Sequence, residues 1–99
     1  MSPEKSPLAG VQPPQASFSS LIEIHLLQTL VFTGKQPNLQ TGKRETNLPF
    51  AKYNVEMLEM IAAKTEGNRT EEESRLLDQH LHLARLAYVE ARREAGEGE

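Results

Sequence analysis

The 99-residue sequence contains no cysteine and no tryptophan, and only 5% of its residues are aromatic. Without cysteine the chain can form neither a disulfide scaffold nor a thiolate zinc site, and thiol catalysis is excluded. It also lacks a long hydrophobic run, since the apolar-rich stretch 21–32 would span roughly 18 Å as a helix, against about 30 Å of bilayer hydrocarbon. We therefore expect no membrane span.

The first residues, 1–5, show no basic stretch followed by an apolar one, so we expect no secretory signal. Together with the absence of cysteine, this favours a cytoplasmic location. Clustered positive charge is lacking as well, because 14 acidic and 11 basic residues give a net charge of −3. Nucleic-acid binding needs clusters of Lys and Arg that displace counterions, so we expect no nucleic-acid partner.

One segment of the chain, residues 34–46, is nevertheless basic, with the cations Lys35, Lys43 and Arg44. Its turn signals predict a connector between helices. The basic groups could bind a small anion or a partner, although a solvated loop is the simpler interpretation. We expect Leu39 to fix this connector to the body of the protein.

The length is typical of one small domain. Residues 1–16 contain four prolines and few large apolar side chains, so they predict a disordered arm. Residues 17–95 predict a single helical domain, and residues 96–99 a flexible tail that begins with Gly96.

The first helix is expected at about 17–33, with Ser17 or Ser20 as its N-cap. Its apolar side chains surround most of the helix axis, and such a helix must be covered on most sides. A neighbouring hairpin covers only one side. We therefore predict that a second copy covers the remainder, through an oligomer interface formed by Leu21, Leu26, Leu27, Leu30 and Val31.

The second and third helices are expected at about 48–66 and 71–95. Asn47 is the predicted N-cap of the second helix, and Thr70 with Glu73 predicts a capping box at the start of the third.

The intervening turn at Gly67 and Asn68 is so short that it predicts an antiparallel helical hairpin. The expected fold is thus all-α: an apolar first helix, a connector and a long antiparallel hairpin, assembled as a dimeric helical bundle. The apolar face of the third helix is expected to include Leu77 and Leu83.

The polar residues that could carry chemistry are few. His80 and His82 lie on different faces of a helix and cannot chelate one ion together, and Asp78 with His82 is better explained as a surface pair. Asn54 falls within the apolar face of the second helix, where a buried polar side chain can specify register. We expect no catalytic residue, no cofactor and no metal ion.

The chain from residue 18 to residue 90 resembles a small bacterial family known as domain of unknown function 1844. The resemblance is carried by Phe18-Ser19-Ser20-Leu21, Asn47-Leu48, Lys64-Thr65-Glu66-Gly67-Asn68, Thr70-Glu71-Glu72-Glu73 and Tyr88-Val89-Glu90. It departs from the family pattern at Arg69, where Leu is usual. The resemblance implies a bacterial, cytoplasmic protein, and it implies no site residues because the family has no established activity.

These observations favour a small interaction or scaffold protein that forms a homo-oligomer, with an unidentified protein partner as a further option, rather than an enzyme. A first alternative is an enzyme subunit or regulator with a site in the oligomer interface, for which His25, Asn54 and His80 are the polar candidates. A second alternative is association with a membrane surface through the first helix. The absence of Lys and Arg from that helix, which carries Glu23, disfavours anionic lipid.

Overall fold

The computed structural model describes residues 10–96, and these form three helices and no β-strand. The helices are α1 (Phe18–Phe32), α2 (Leu48–Lys64) and α3 (Glu71–Glu94), and each packs against the other two. The expected all-α class is therefore confirmed. None of the helices in the described part of the chain is long and apolar enough to cross a membrane.

One hydrophobic core joins the three helices. Ile22 of α1, Leu58 of α2 and Leu77 of α3 are each completely buried in it. The core is completed by three further side chains, Val55, Leu81 and Ala84. Small residues continue the buried stripe of α3 at Ala87 and Ala91, so the helices approach closely along their length.

Each helix begins at a side-chain cap. Ser17 accepts a hydrogen bond from the Ser20 N–H at 3.1 Å, and Asn47 accepts one from the Phe50 N–H at 3.2 Å. Thr70 accepts the Glu73 N–H at 3.1 Å, while the Glu73 carboxylate accepts the Thr70 N–H at 2.9 Å. This reciprocal pair satisfies two amide donors that the first turn of α3 would otherwise leave unpaired.

We expect Thr70→Ala to lower the free energy of unfolding by about 1 kcal/mol, because it removes the acceptor for the Glu73 amide. Urea unfolding followed by circular dichroism measures this loss. Thr70→Ser keeps the hydroxyl and should behave nearly as the wild type. Equal midpoints for the alanine and serine variants would show that the hydroxyl does not stabilise α3.

The connector leaves α1 through a glycine in the left-handed conformation. Gly34 has φ +77°, and a Cβ atom there would lie 3.2 Å from the Thr46 hydroxyl, so a larger residue would meet both strain and crowding. Thr33 pairs with Thr46 in an isolated antiparallel bridge, and the Asn47 N–H donates to the Phe32 carbonyl at 2.7 Å. The two ends of the connector are thereby held together.

The turn between α2 and α3 is stabilised by Arg69. Its guanidinium donates to the Ala62 carbonyl at 2.8 Å, to the Thr65 hydroxyl at 2.9 Å and to the Ser74 hydroxyl at 3.0 Å. Gly67 adopts φ +86° in this turn. Arg69 therefore ties the end of α2 to the beginning of α3.

Two sequence-based expectations about burial are wrong. Leu39 does not fix the connector to the body, because its side chain is 88% exposed. Leu83 was assigned to the same apolar face as Leu77, yet it is 48% exposed whereas Leu77 is completely buried. The predicted N-terminal arm and C-terminal tail lie in part outside the described residues, at 1–9 and 97–99.

Candidate functional site

The outer face of α1 carries exposed apolar side chains. At about 100° per residue, four side chains share a sector of about 120°; they are Leu21, Ile24, Leu27 and Val31. Leu21 and Ile24 are each 44% exposed and Leu27 is 40% exposed, whereas Ile22, on the opposite side of the helix, is completely buried. We call these four residues the α1 outer face.

A cleft of about 510 Å³ opens beside this face, between α1, the connector and α2. We call it the α1–α2 cleft. Ile24, Leu27 and Val31 line its α1 side, and Phe50 and Tyr53 line its α2 side. Phe50 and Tyr53 are each about half exposed. The apolar surface therefore continues from α1 across the cleft onto α2.

The remaining described residues that line the α1–α2 cleft are uncharged. Most of their side chains are amides, and the full set is Gln28, Phe32, Asn38, Leu39, Gln40 and Asn54. A quarter of the chain is Asp, Glu, Lys or Arg, so a surface of this size without a charged lining residue stands out. The centres of protein interfaces are depleted of charge in the same way.

Asn54 lines the α1–α2 cleft and belongs to a polar pair that connects α1 with α2. Asn54 is 99% buried, and its amide nitrogen donates to the Phe50 carbonyl at 2.9 Å. Its amide oxygen therefore faces His25 Nδ1, 2.9 Å away, and that ring nitrogen must be the donor. The pair places a proton on His25 Nδ1 and satisfies both polar groups of the Asn54 side chain.

An aromatic pair closes one end of the cleft. The rings of Phe32 and Phe50 are stacked with their centroids 5.3 Å apart and their planes at 26°. Such pairs contribute roughly 0.5–1.5 kcal/mol beyond the area that they bury. The end of α1 is therefore fixed against the beginning of α2, and the cleft is built on packed elements.

The five residues predicted for an oligomer interface do not share one side of α1. Leu21, Leu27 and Val31 belong to the α1 outer face. Leu26 and Leu30 are half-buried and line a different, smaller cleft of about 290 Å³ toward α3. We call it the α1–α3 cleft.

The α1–α3 cleft also contains an ion pair. Lys35 of the connector lies 2.7 Å from Glu90 of α3. The hydrogen bond to Glu90 raises the pKa of the Lys35 ammonium above its ordinary value, against a smaller opposite effect of desolvation. The two groups are well exposed, so solvent screens the pair and it stabilises the fold little.

A second cation of the connector, Arg44, is hydrogen-bonded to the backbone. Its guanidinium donates to the carbonyl of Lys35 at 2.7 Å and to that of Gly34 at 3.3 Å. Lys35 thus links the connector to α3, while Arg44 joins the two ends of the connector to each other. Both cations therefore have hydrogen-bond partners within the protein, and their positions do not require a bound anion.

The histidines fall into separate environments. The structure brings together His25 and Asn54, two of the three polar candidates for an interface site. The third, His80, is half-buried and its Nδ1 lies 3.0 Å from the Leu76 carbonyl of its own helix. Among residues 10–96, no three His, Asp or Glu side chains form a group that could hold a metal ion.

Sequence reasoning missed part of the apolar surface. The interface predicted from the sequence does not include Ile24, Phe50 or Tyr53. A helical pattern places these side chains on a face, but it does not show which neighbouring element covers that face. The packing of the three helices and the connector leaves Phe50 and Tyr53 about half exposed.

Comparison with known proteins agrees with the resemblance in the sequence. No curated protein and no solved structure matches the chain at a significant level. The model of one protein family, described as domain of unknown function (DUF1844), matches residues 15–90, which include all of α1 and α2 and most of α3. This chain therefore belongs to the domain of unknown function 1844 family.

Proposed function

We propose that this protein is a small cytoplasmic interaction module that acts by self-association, most simply as a two-fold dimer formed through the α1 outer face and the α1–α2 cleft. The observation that carries the proposal is the continuous apolar surface from Leu21, Ile24 and Leu27 on α1 to Phe50 and Tyr53 on α2. Monomeric proteins rarely expose apolar patches larger than a few hundred Å².

The area of this surface suits a second copy of the chain. A whole aromatic side chain has an area of roughly 150–250 Å², and an aliphatic one somewhat less. Multiplied by the exposed fractions of the apolar side chains on this surface, these areas give an exposed apolar area on the order of 500 Å². A standard interface takes about 800 Å² from each partner, and about 65% of a homodimer interface is apolar. The apolar share expected from each partner is therefore also about 500 Å².

We further propose that the protein binds rather than catalyses. His25 has a structural partner in Asn54, and His80 has one in the Leu76 carbonyl. These contacts give both rings a structural role in joining or packing the helices, and that role does not require proton transfer. An enzyme subunit or regulator with a site at the oligomer interface remains the alternative, with Asn54, which lines the cleft, and its hydrogen-bond partner His25 as its polar groups.

Leu27→Glu should convert the wild-type dimer into a monomer, because it places a carboxylate at the centre of the proposed interface on each copy. Val89→Glu is the matched control, since Val89 is 39% exposed, close to the 40% of Leu27, and lies on α3 away from the α1–α2 cleft. Light scattering after size exclusion, at micromolar concentration, measures the mass of each species.

We expect a mass of two chains for the wild type and for Val89→Glu, and a mass of one 11.1 kDa chain for Leu27→Glu. A wild-type mass of one chain with the helices intact would overturn self-association. Loss of the dimer in both glutamate variants would show that added negative charge, and not this surface, is responsible.

A further inference from the structure

We infer that Leu39 of one copy inserts into the α1–α2 cleft of a second copy, and that the reverse contact forms at the same time. The inference rests on the proposed self-association and names the side chain that each copy contributes to the other. Leu39 has the highest exposed fraction, 88%, among the exposed large apolar side chains of residues 10–96. It also stands at the edge of the α1–α2 cleft and lines it.

The backbone around Leu39 is a closed turn. The Asn38 N–H donates to the Lys43 carbonyl at 2.8 Å, and the Gly42 N–H donates to the Asn38 carbonyl at 2.7 Å. The Asn38 side chain also accepts the Gln40 N–H at 2.8 Å. Single exposed leucines are ordinary on protein surfaces. A leucine held at the tip of a hydrogen-bonded turn is different, because less conformational freedom is lost when it docks.

A protruding side chain and a recess on the same face make that face self-complementary. In a two-fold dimer each contact between two residues occurs twice, so one Leu39 and one cleft on each chain are sufficient. The cleft is lined by apolar side chains, among them Ile24, Leu27 and Tyr53, and its volume of about 510 Å³ is large enough for a ligand of several side chains.

Charge also favours a second copy as the occupant. The chain has a net charge of −3, so two copies repel each other over most approaches. The described residues that line the α1–α2 cleft include no charged side chain. Inside the cleft two copies can therefore meet without placing like charges opposite one another, and none of the lining groups loses the hydration of a charge. The exposed Glu23 lies outside this cleft and lines a neighbouring recess with Ile24 and Leu27.

Leu39→Ser should weaken the dimer by about 100-fold or more, because two buried leucine contacts are lost for each dimer. Leu39→Met retains an apolar side chain and should stay within about threefold of the wild type. Val11→Ser is the control for loss of an exposed apolar side chain outside the cleft, since Val11 is 64% exposed, and it should leave the dimer unchanged. Sedimentation velocity over a dilution series measures the dissociation constants.

A second measurement tests proximity directly and uses the absence of native cysteine. Differently tagged Leu39→Cys and Gln28→Cys chains are mixed and oxidised, and a disulfide between residues 39 and 28 of different copies is expected. A mixture of Leu39→Cys with Val11→Cys is the control and should cross-link much less.

The outcomes separate this inference from the proposed function. If Leu39→Ser dimerises as tightly as the wild type while Leu27→Glu is monomeric, the role of Leu39 is overturned and self-association through α1 stands. If the wild type is itself monomeric, both proposals fail. Preferential cross-linking of residue 39 to residue 11 would also overturn the role of Leu39.

Discussion

Leu77→Ala should lower the free energy of unfolding by about 3–4 kcal/mol, the largest loss that we expect from a single substitution in this protein. Leu77 is completely buried and packs in the core that also contains Ile22 of α1 and Leu58 of α2. Truncation removes the burial of its side chain and leaves a cavity where all three helices meet. Small domains have only about 5–15 kcal/mol of stability in total, so this is a substantial share.

Leu83→Ala is the matched control for this substitution. It is the same change on the same helix, six residues further along, but Leu83 is 48% exposed. We expect it to cost less than about 1 kcal/mol. Both variants are compared by urea unfolding at one fixed chain concentration, because the proposed dimerisation would make the apparent stability depend on concentration. Equal losses would show that the two leucines contribute equally to the core.

Asn54→Leu should cost about 2 kcal/mol, even though it replaces a polar side chain by an apolar one in an apolar surrounding. In the wild type, His25 Nδ1 donates to the Asn54 amide oxygen at 2.9 Å in a partly buried site. The substitution removes this acceptor and leaves the His25 N–H unpaired. Leaving such a donor unpaired costs roughly 1–3 kcal/mol. The larger leucine also overpacks a site that is already filled, which offsets the gain from burying it. Urea unfolding at neutral pH and fixed chain concentration measures the loss.

The double variant His25→Phe with Asn54→Leu tests the reason for that loss. Replacing both partners by apolar groups removes the unpaired donor, so we expect the double variant to recover most of the stability lost in Asn54→Leu. His25→Phe alone should also be destabilised, since it leaves the buried Asn54 amide oxygen without a donor. If the two single losses simply add in the double variant, the hydrogen bond does not couple the two residues.

The hydrophobic core around Leu77 and the His25–Asn54 pair affect the proposed interface through the position of α1. The core holds the buried side of α1 at Ile22, and the His25–Asn54 hydrogen bond holds the helix against α2. Together they fix how far the α1 outer face stands from Phe50 and Tyr53, and hence the width of the α1–α2 cleft. Variants at Leu77 or Asn54 should therefore affect self-association only through the fold, whereas Leu27 contributes to the surface directly.

Local features of the structure could be read from the sequence because their causes lie within a few residues. The Thr70–Glu73 capping box depends on two side chains three residues apart, and Asn47 caps α2 through the amide of Phe50. Gly34 takes the left-handed conformation after α1, which suits a residue without Cβ. The all-α class follows from the same local preferences, repeated along three amphipathic or apolar segments.

The sequence by itself therefore determined the three helices, their caps and the apolar character of α1, since propensity, capping and periodicity act over one or two turns. Only the tertiary structure decided which apolar residues are covered. Leu77 is buried and Leu83 is exposed, and Leu39 protrudes beside a cleft. Asn54 meets His25 from 29 positions away. Burial depends on which distant elements pack together, and the periodicity of a single helix carries no information about its neighbours.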